Sequence, residues 1–369
     1  MDANLQLAYE QIMQAEHPED LFGVHDIVLP ADTLLEHLRT KYDPLRSATD
    51  PKVYQDPADS EAAADAHRKL LRLYAAAEMR IRQRIYGLLG RGRPLPSHAV
   101  KHFAVGSNRY HVGNAVLSDP SFVTYEGFLM HHHEMCGEVA IKVANTTSSN
   151  HLLQNEARAI DELHRNPVPQ WKHLPLLMDR FTARQRLGVV YRRFSGSTLT
   201  EVRRHRLHRD GVDQRHMVWI LDRILSCLGY AHRCGLVHGA LIPENVLIQP
   251  ALHNVIIDGW SASVLKPAVS GERIAFYSQE FSAPESVTGQ VGPWSDIYSL
   301  GKLMIWLVGG DPLTKRIPDS VEPTIASLLR RMTDEDIYKR PQDAWDLYEE
   351  QNRVKDALWP RKFLHFDMT

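Results

Sequence analysis

The sequence predicts an α+β chain with an all-α N-terminal domain and a two-lobed domain after it. Three observations carry this. Apolar residues recur at helical spacing at Leu34, Leu35, Leu38 and again at Leu70, Leu71, Leu73, Tyr74. Gly87, Gly90, Gly92, Pro94 and Pro96 then punctuate the chain too often for a helix or strand. Beyond them, alternating and β-branched runs give way to helix-type spacing from about residue 213, strands first and helices later.

In order, residues 1–86 read as a helical domain, with a Pro/Asp-rich loop at 45–60 between its main helices. Residues 87–105 read as a linker and 106–358 as the second domain. Strands are expected at Tyr110 to Leu117, Phe122 to Leu129 and Glu138 to Val143, a helix at 151–164, and strands at 174–182 and 187–194. Two short strands, Asn245–Ile248 and Asn254–Ile257, interrupt the helical second half. No internal repeat suggests a solenoid.

Composition narrows the function classes. The 369 residues hold 43 Lys+Arg against 45 Asp+Glu, a net charge of -2 that argues against nucleic acid or anionic lipid as a partner. Three cysteines (Cys136, Cys227, Cys234) make no disulfide framework, which fits a reducing compartment. The start MDANLQLAYEQ lacks a basic-then-apolar signal pattern, and no apolar run approaches the ~20 residues that span a bilayer. A cytoplasmic protein with no membrane contact is the expectation.

The chemistry is carried by short motifs in a fixed order. Val139-Ala-Ile-Lys142 ends a strand, and Glu156 lies in the helical LLQNEARAIDEL. His238 to Asn245 reads H-G-A-L-I-P-E-N, Asp258-Gly259-Trp260 follows a strand, and Ala283-Pro284-Glu285, Asp296 to Gly301 and Lys339-Arg340-Pro341 complete the series. Over about two-thirds of its length the chain resembles the protein kinase superfamily, closer to the Ser/Thr branch, with its V-A-I-K, H-R-D-L-K-P-E-N, D-F-G and A-P-E motifs. The resemblance implies ATP and Mg²⁺ as cofactors. Lys142 would grip the α- and β-phosphates and pair with Glu156, while Asn245 and Asp258 would hold Mg²⁺. Tyr191 would be the gatekeeper, and Arg192 to Phe194 the hinge that meets adenine. Glu285 with Arg340 would be a buried structural ion pair, and Asp296 would hold the backbone near His238.

The departures from the family pattern are coherent. Ala240 stands at the catalytic Asp position, so no catalytic residue is assigned there; a methyl group accepts no hydrogen bond. Gly239 replaces the Arg that would meet a phosphorylated activation segment, and Ile242 the Lys that would neutralise the transferring phosphate. With Phe122 aligned to the phosphate loop's aromatic, Ser118, Pro120 and Val123 replace three glycines, and Pro120 has no N–H. Trp260 would fill, one residue late, the space of the D-F-G Phe. These features imply a pseudokinase, a scaffold or regulatory binding module for protein partners. The alternative is an atypical phosphoryl- or nucleotidyl-transferase using ATP–Mg. A purely structural use of Lys142, Glu156, Asn245 and Asp258 around a collapsed cleft also stays open.

Residues 17–85 resemble the layout of a J domain, whose Tyr-His-Pro-Asp turn stimulates a heat-shock ATPase chaperone. Here the turn would read Tyr42-Asp43-Pro44-Leu45, lacking the His and the final Asp. A chaperone adaptor is therefore a second alternative. His131-His132-His133 with Cys136 offers metal-type ligands, but consecutive residues point apart and read as a solvated turn. The basic run Arg203 to Asp210 lacks aromatic interleaving and reads as a solvated helical face.

Overall fold

Helix α1 (Ala3–Gln14) starts where the Asp2 carboxylate accepts from the N–H groups of Asn4 and Leu5, as an N-cap should. It belongs to a computed structural model that describes residues 2–15, 18–22, 31–82, 94–106, 108–131, 134–166, 168–194, 196–250, 253–359 and 366–368. The chain divides into two compact units: Met1–Leu117, Thr124–Ile141 and His164–Lys172 in the first, and Ser118–Val123, Lys142–Leu163 and His173–Thr369 in the second.

In the first unit α1 is followed by α2 (Pro18–Phe22), α3 (Ala31–Ala48) and α4 (Pro57–Arg82). Their shared core includes Ile12, Phe22, Leu34, Leu38, Tyr42, Leu70, Leu73 and Ile81. The expected Tyr42-Asp43-Pro44-Leu45 turn is not a turn: these residues lie inside α3, and the loop is confined to 49–56. The reason is the stripe Leu34, Leu38, Tyr42, Leu45, one helical face packed on the core, with the Tyr42 ring 3.9 Å from that of Tyr74. Burying Leu34, Leu38 and Tyr42 on that face, at about 1.5–3 kcal/mol per fully buried side chain, outweighs the roughly 3 kcal/mol of a helical proline. The helix stops at Thr49, whose N–H and hydroxyl both donate to the Leu45 carbonyl (3.0 and 2.8 Å).

Residues 87–93 of the expected 87–105 linker lie outside the described residues; 94–100 form neither helix nor strand, and 101–105 are strand β1 (Lys101–Val105). It pairs antiparallel with β2 (Asn108–Ser118), Lys101 opposite Val112 and Val105 opposite Asn108. Then come β3 (Phe122–His131) and β4 (Glu134–Ala144), α5 (Asn150–Leu163), and the hairpin β5 (Leu177–Ala183) and β6 (Arg186–Arg192). The sheet runs in the order β1-β2-β3-β4-β6-β5. Residues 132–133 and the side chains of His131 and Cys136 lie outside the described residues, so the His/Cys tract is not placed.

The rest of the second unit is mainly helical. Short strand β7 (Ser197–Thr198) leads into α6 (Leu199–Arg204), closed by a capping box between Thr198 and Glu201. The basic run is not one solvated helical face: α6 ends at Arg204 and residues 205–210 turn. His208 there stacks on Phe366 at 4.8 Å, and the Arg203 guanidinium lies 5.2 Å from the Trp306 ring centre. Helix α7 (Gln214–Arg233), buried along most of its length, precedes β8 (Leu236–Val237), β9 (Val246–Gln249), β10 (Asn254–Ile257) and β11 (Val264–Leu265). The β9–β10 hairpin sets Val246 opposite Ile257, and β8 pairs with β11 through Val237 and Val264. These two ladders hold the loops 238–245 and 258–263 side by side. Helices α8 (Pro267–Ser270), α9 (Glu285–Thr288), α10 (Pro293–Leu307), α11 (Pro323–Met332) and α12 (Ala344–Leu358) complete the unit. Among the described residues no helix is long and apolar enough to cross a membrane.

Candidate functional site

β4 alternates, so Ile141 points into the core while Lys142 takes the other face. Lys142 Nζ meets Glu156 Oε2 of α5 at 2.7 Å, with the Glu156 side chain 1% exposed and Lys142 17%. Burial pulls the Lys142 pKa down, but Glu156, Asp258 and Asp119 together raise it above the ordinary value, so the ammonium is charged. The Phe122 ring covers it, its centre 4.5 Å from Nζ. Tyr191 is buried beside this pair, and its phenol pKa is pushed well up by burial, with Glu156 and Asp258 adding to it. Neither Tyr191 Oη nor Glu156 Oε1 makes a hydrogen bond at standard geometry, although the two groups are neighbours.

The loop after β8 is organised by one buried carboxylate. Asp296 accepts from the N–H groups of His238 (2.8 Å) and Gly239 (2.9 Å) and pairs with His232 Nε2 at 2.9 Å. That is the backbone-holding role expected of it. Gly239 has φ 76°, and a Cβ there would meet the Ala262 carbonyl at 2.9 Å, so an arginine would be strained at this position. Ala240 is 5% exposed; its N–H donates to His238 Nδ1 and its carbonyl accepts from Asn245 Nδ2 at 2.9 Å. The nearest acid in sequence, Glu244, is held by the Thr200 hydroxyl at 2.7 Å. Asp258 Oδ1 accepts from Gly259 N–H, while Asp258 Oδ2 and Asn245 Oδ1 accept no hydrogen bond among the described residues.

Trp260 fills the space beneath α5. It is fully buried, its ring stands edge-on to His238 at 4.5 Å, and its indole N–H donates to the Ile257 carbonyl. Asn155 of α5 clasps the same segment, its amide donating to the Ser261 and Ser263 carbonyls (2.9 and 2.7 Å). The structure thus brings together Lys142, Glu156, Tyr191, Asn245 and Asp258. Of the residues expected to form a hinge, Arg192 is buried and its N–H donates to the Leu176 carbonyl, while Phe194 is half-buried.

Sequence reasoning missed two contributors. Asn155 carries no motif signal. Asp119 does: Asp-Pro-Ser after a strand is an Asx-turn pattern. Its carboxylate accepts from the N–H groups of Ser121 (2.7 Å) and Phe122 (2.9 Å).

The loops beside β4 and α5 define a kinase-type fold. The protein kinase domain family model matches residues 126–354, and the chain belongs to that family. It is 26% identical over 188 residues to Serine/threonine-protein kinase D of Synechocystis sp., covering 47% of this chain and 34% of that protein. With Serine/threonine-protein kinase ppk21 of Schizosaccharomyces pombe the identity is 29% over 143 residues, covering 36% and 25%. The chain thus spans about a third and a quarter of these relatives' lengths. Among solved structures, the PknI kinase domain of Mycobacterium tuberculosis matches with TM-score 0.54 as a double mutant and 0.50 in a second structure. Both are at 19% identity, covering 70% of this chain and 99% of that domain. That likeness shows the fold.

Proposed function

We propose that this chain is a pseudokinase, a protein kinase domain whose conformation, rather than phosphoryl transfer, does its work as a regulatory binding module for a protein partner. One observation carries the reading: Ala240 stands where an acceptor hydroxyl would need a carboxylate to orient it, and the adjacent acid, Glu244, is committed to Thr200. Lys142–Glu156 joins β4 to α5, and Asn155 joins α5 to the segment after Asp258. A ligand or partner that favoured one arrangement of these joints would shift the surface they shape.

The residues fit the family's cofactor only in part. Asn245 Oδ1 and Asp258 Oδ2 are two oxygens left for a divalent cation, which would neutralise phosphate charge there. Lys142 remains charged. The phosphate-covering turn does not fit, because Pro120 has no N–H and the next two N–H groups already serve Asp119.

A second reading, an atypical phosphoryl- or nucleotidyl-transferase, draws its support from those two free oxygens and the intact Lys142–Glu156 pair. The chaperone-adaptor reading lacks its contact turn, since Tyr42–Leu45 is helical. The test is labelled-ATP turnover by the full chain, with and without peptide acceptors, against the Lys142→Ala/Asp258→Ala double variant. Equal background in both supports the pseudokinase, and turnover lost in the double variant overturns it in favour of the transferase.

A further inference from the structure

The turn between β2 and β3 already holds an anion, and that anion belongs to the chain. Asp119 Oδ1 takes the N–H groups of Ser121 and Phe122, while Asp119 N–H donates to the Phe122 carbonyl at 3.0 Å. The turn's carbonyls are engaged as well: Ser121 O accepts from Asn145 N–H at 2.9 Å and Asp119 O from Asn145 Nδ2 at 2.7 Å. Successive backbone N–H groups in a tight turn are donors a phosphate would use. Here a carboxylate has taken them.

The same carboxylate acts on Lys142 through its charge. Asp119 is among the groups that raise the Lys142 pKa, and Lys142 Nζ is further divided between Glu156 at 2.7 Å and the face of Phe122 at 4.5 Å. A polyphosphate arriving at this turn would meet a like charge, no free N–H from Ser121 or Phe122, and a lysine covered by an aromatic ring. Away from the turn the situation reverses. The backbone of Phe194 makes no hydrogen bond among the described residues, leaving a donor and an acceptor for a heterocycle.

We propose that Asp119 is a specificity-determining residue that makes the site around Lys142 take a purine nucleoside and reject its polyphosphate. The proposal rests on the kinase-type reading of this site, with Phe194 in the hinge. It explains how a charged Lys142–Glu156 pair persists beside a turn that no longer cradles phosphate.

The experiment is calorimetric titration of the full chain with adenosine and with ATP, with and without Mg²⁺, for the wild type and Asp119→Asn. The variant keeps an acceptor for the two N–H groups and removes the charge. Wild type should bind adenosine at least about tenfold more tightly than ATP. Asp119→Asn should raise ATP affinity about tenfold and leave adenosine within about twofold. Tighter ATP than adenosine binding in the wild type, absence of adenosine binding, or an unchanged ratio in the variant would overturn the proposal. If Asp119→Asn does not melt like the wild type, Asp119→Ser carries the test, since its hydroxyl can still accept from the turn's N–H groups and the charge is removed. ATP must then gain on adenosine, or the proposal fails. Turnover is a separate readout, so activity of the wild type would undo the pseudokinase reading without bearing on Asp119.

Discussion

Gly259 and Asn245 are in contact so close that a Cβ on the glycine would fall 2.3 Å from the Asn245 side-chain amide. Gly259 also has φ 81°, in the left-handed region. The two facts explain why the motif reads D-G-W here: the aromatic moves one residue on, to Trp260, and packs on His238 instead.

Restoring the family's order should therefore damage the fold. Gly259→Phe places a large side chain against Asn245 in a strained backbone conformation, at about 2–4 kcal/mol. Urea denaturation should show that loss. A variant as stable as the wild type would mean that Gly259 does not need its present conformation.

Pro44 offers a test of the helical unit. Inside α3 the ring removes one backbone hydrogen bond, so Pro44→Ala should stabilise the chain by about 1–3 kcal/mol. In a turn the same change would be neutral or destabilising, because proline there restricts the unfolded chain. Thermal denaturation of the full chain distinguishes the two.

The motifs were legible because each is a short run on one local element. Of the motif residues, Lys142 with Glu156 and Glu285 with Arg340 form the expected pairs. What was not legible depended on tertiary balance. Asp43-Pro44 reads as a turn locally, and only the stripe from Leu34 to Leu45 packing on α4 overrides it. His205 to Asp210 has helical composition, yet His208 leaves the helical path to stack on Phe366, far along the chain. The cover on Lys142 was hidden for a related reason: the alignment of Phe122 showed missing glycines but not that its ring would face the lysine.

His238 should make stability depend on pH. Its Nε2–H donates to the Asp258 carbonyl at 2.8 Å, and its Nδ1 accepts from Ala240 N–H, so the neutral ring has both nitrogens engaged. Burial lowers its pKa below the ordinary 6.5, against the opposing pull of Asp296 and Asp258 and with His232 adding to the decrease. Between that lowered value and 6.5 the unfolded chain holds a proton the folded chain does not. Stability is thus full above about pH 7 and falls as pH drops through 6.5 toward the folded value. Denaturation at pH 7.5 and 5.5 should show a smaller pH difference for His238→Asn than for the wild type, though that variant is weaker at both. Equal differences would remove His238 from the account.

Arg340 joins four groups at once in the helical part of the second unit. Its Nη1 meets Glu285 Oε1 at 2.7 Å, its Nε and Nη2 donate to the Asp334 and Glu335 carbonyls, and its guanidinium lies 4.5 Å from the Tyr298 ring centre. The side chains of Arg340 and Glu285 are 0% and 5% exposed. Removing the cation leaves a buried carboxylate with the Ser295 hydroxyl as its remaining donor. Arg340→Ala should therefore cost about 3–5 kcal/mol. Arg340→Lys should recover little of it, because an ammonium cannot reproduce the planar fork that reaches Glu285 and two carbonyls together. Glu285→Gln combined with Arg340→Met should recover more, since it removes both charges and keeps the volume. Denaturation midpoints rank the three variants, and a double variant less stable than Arg340→Ala would show that the pair contributes more than compensated charge.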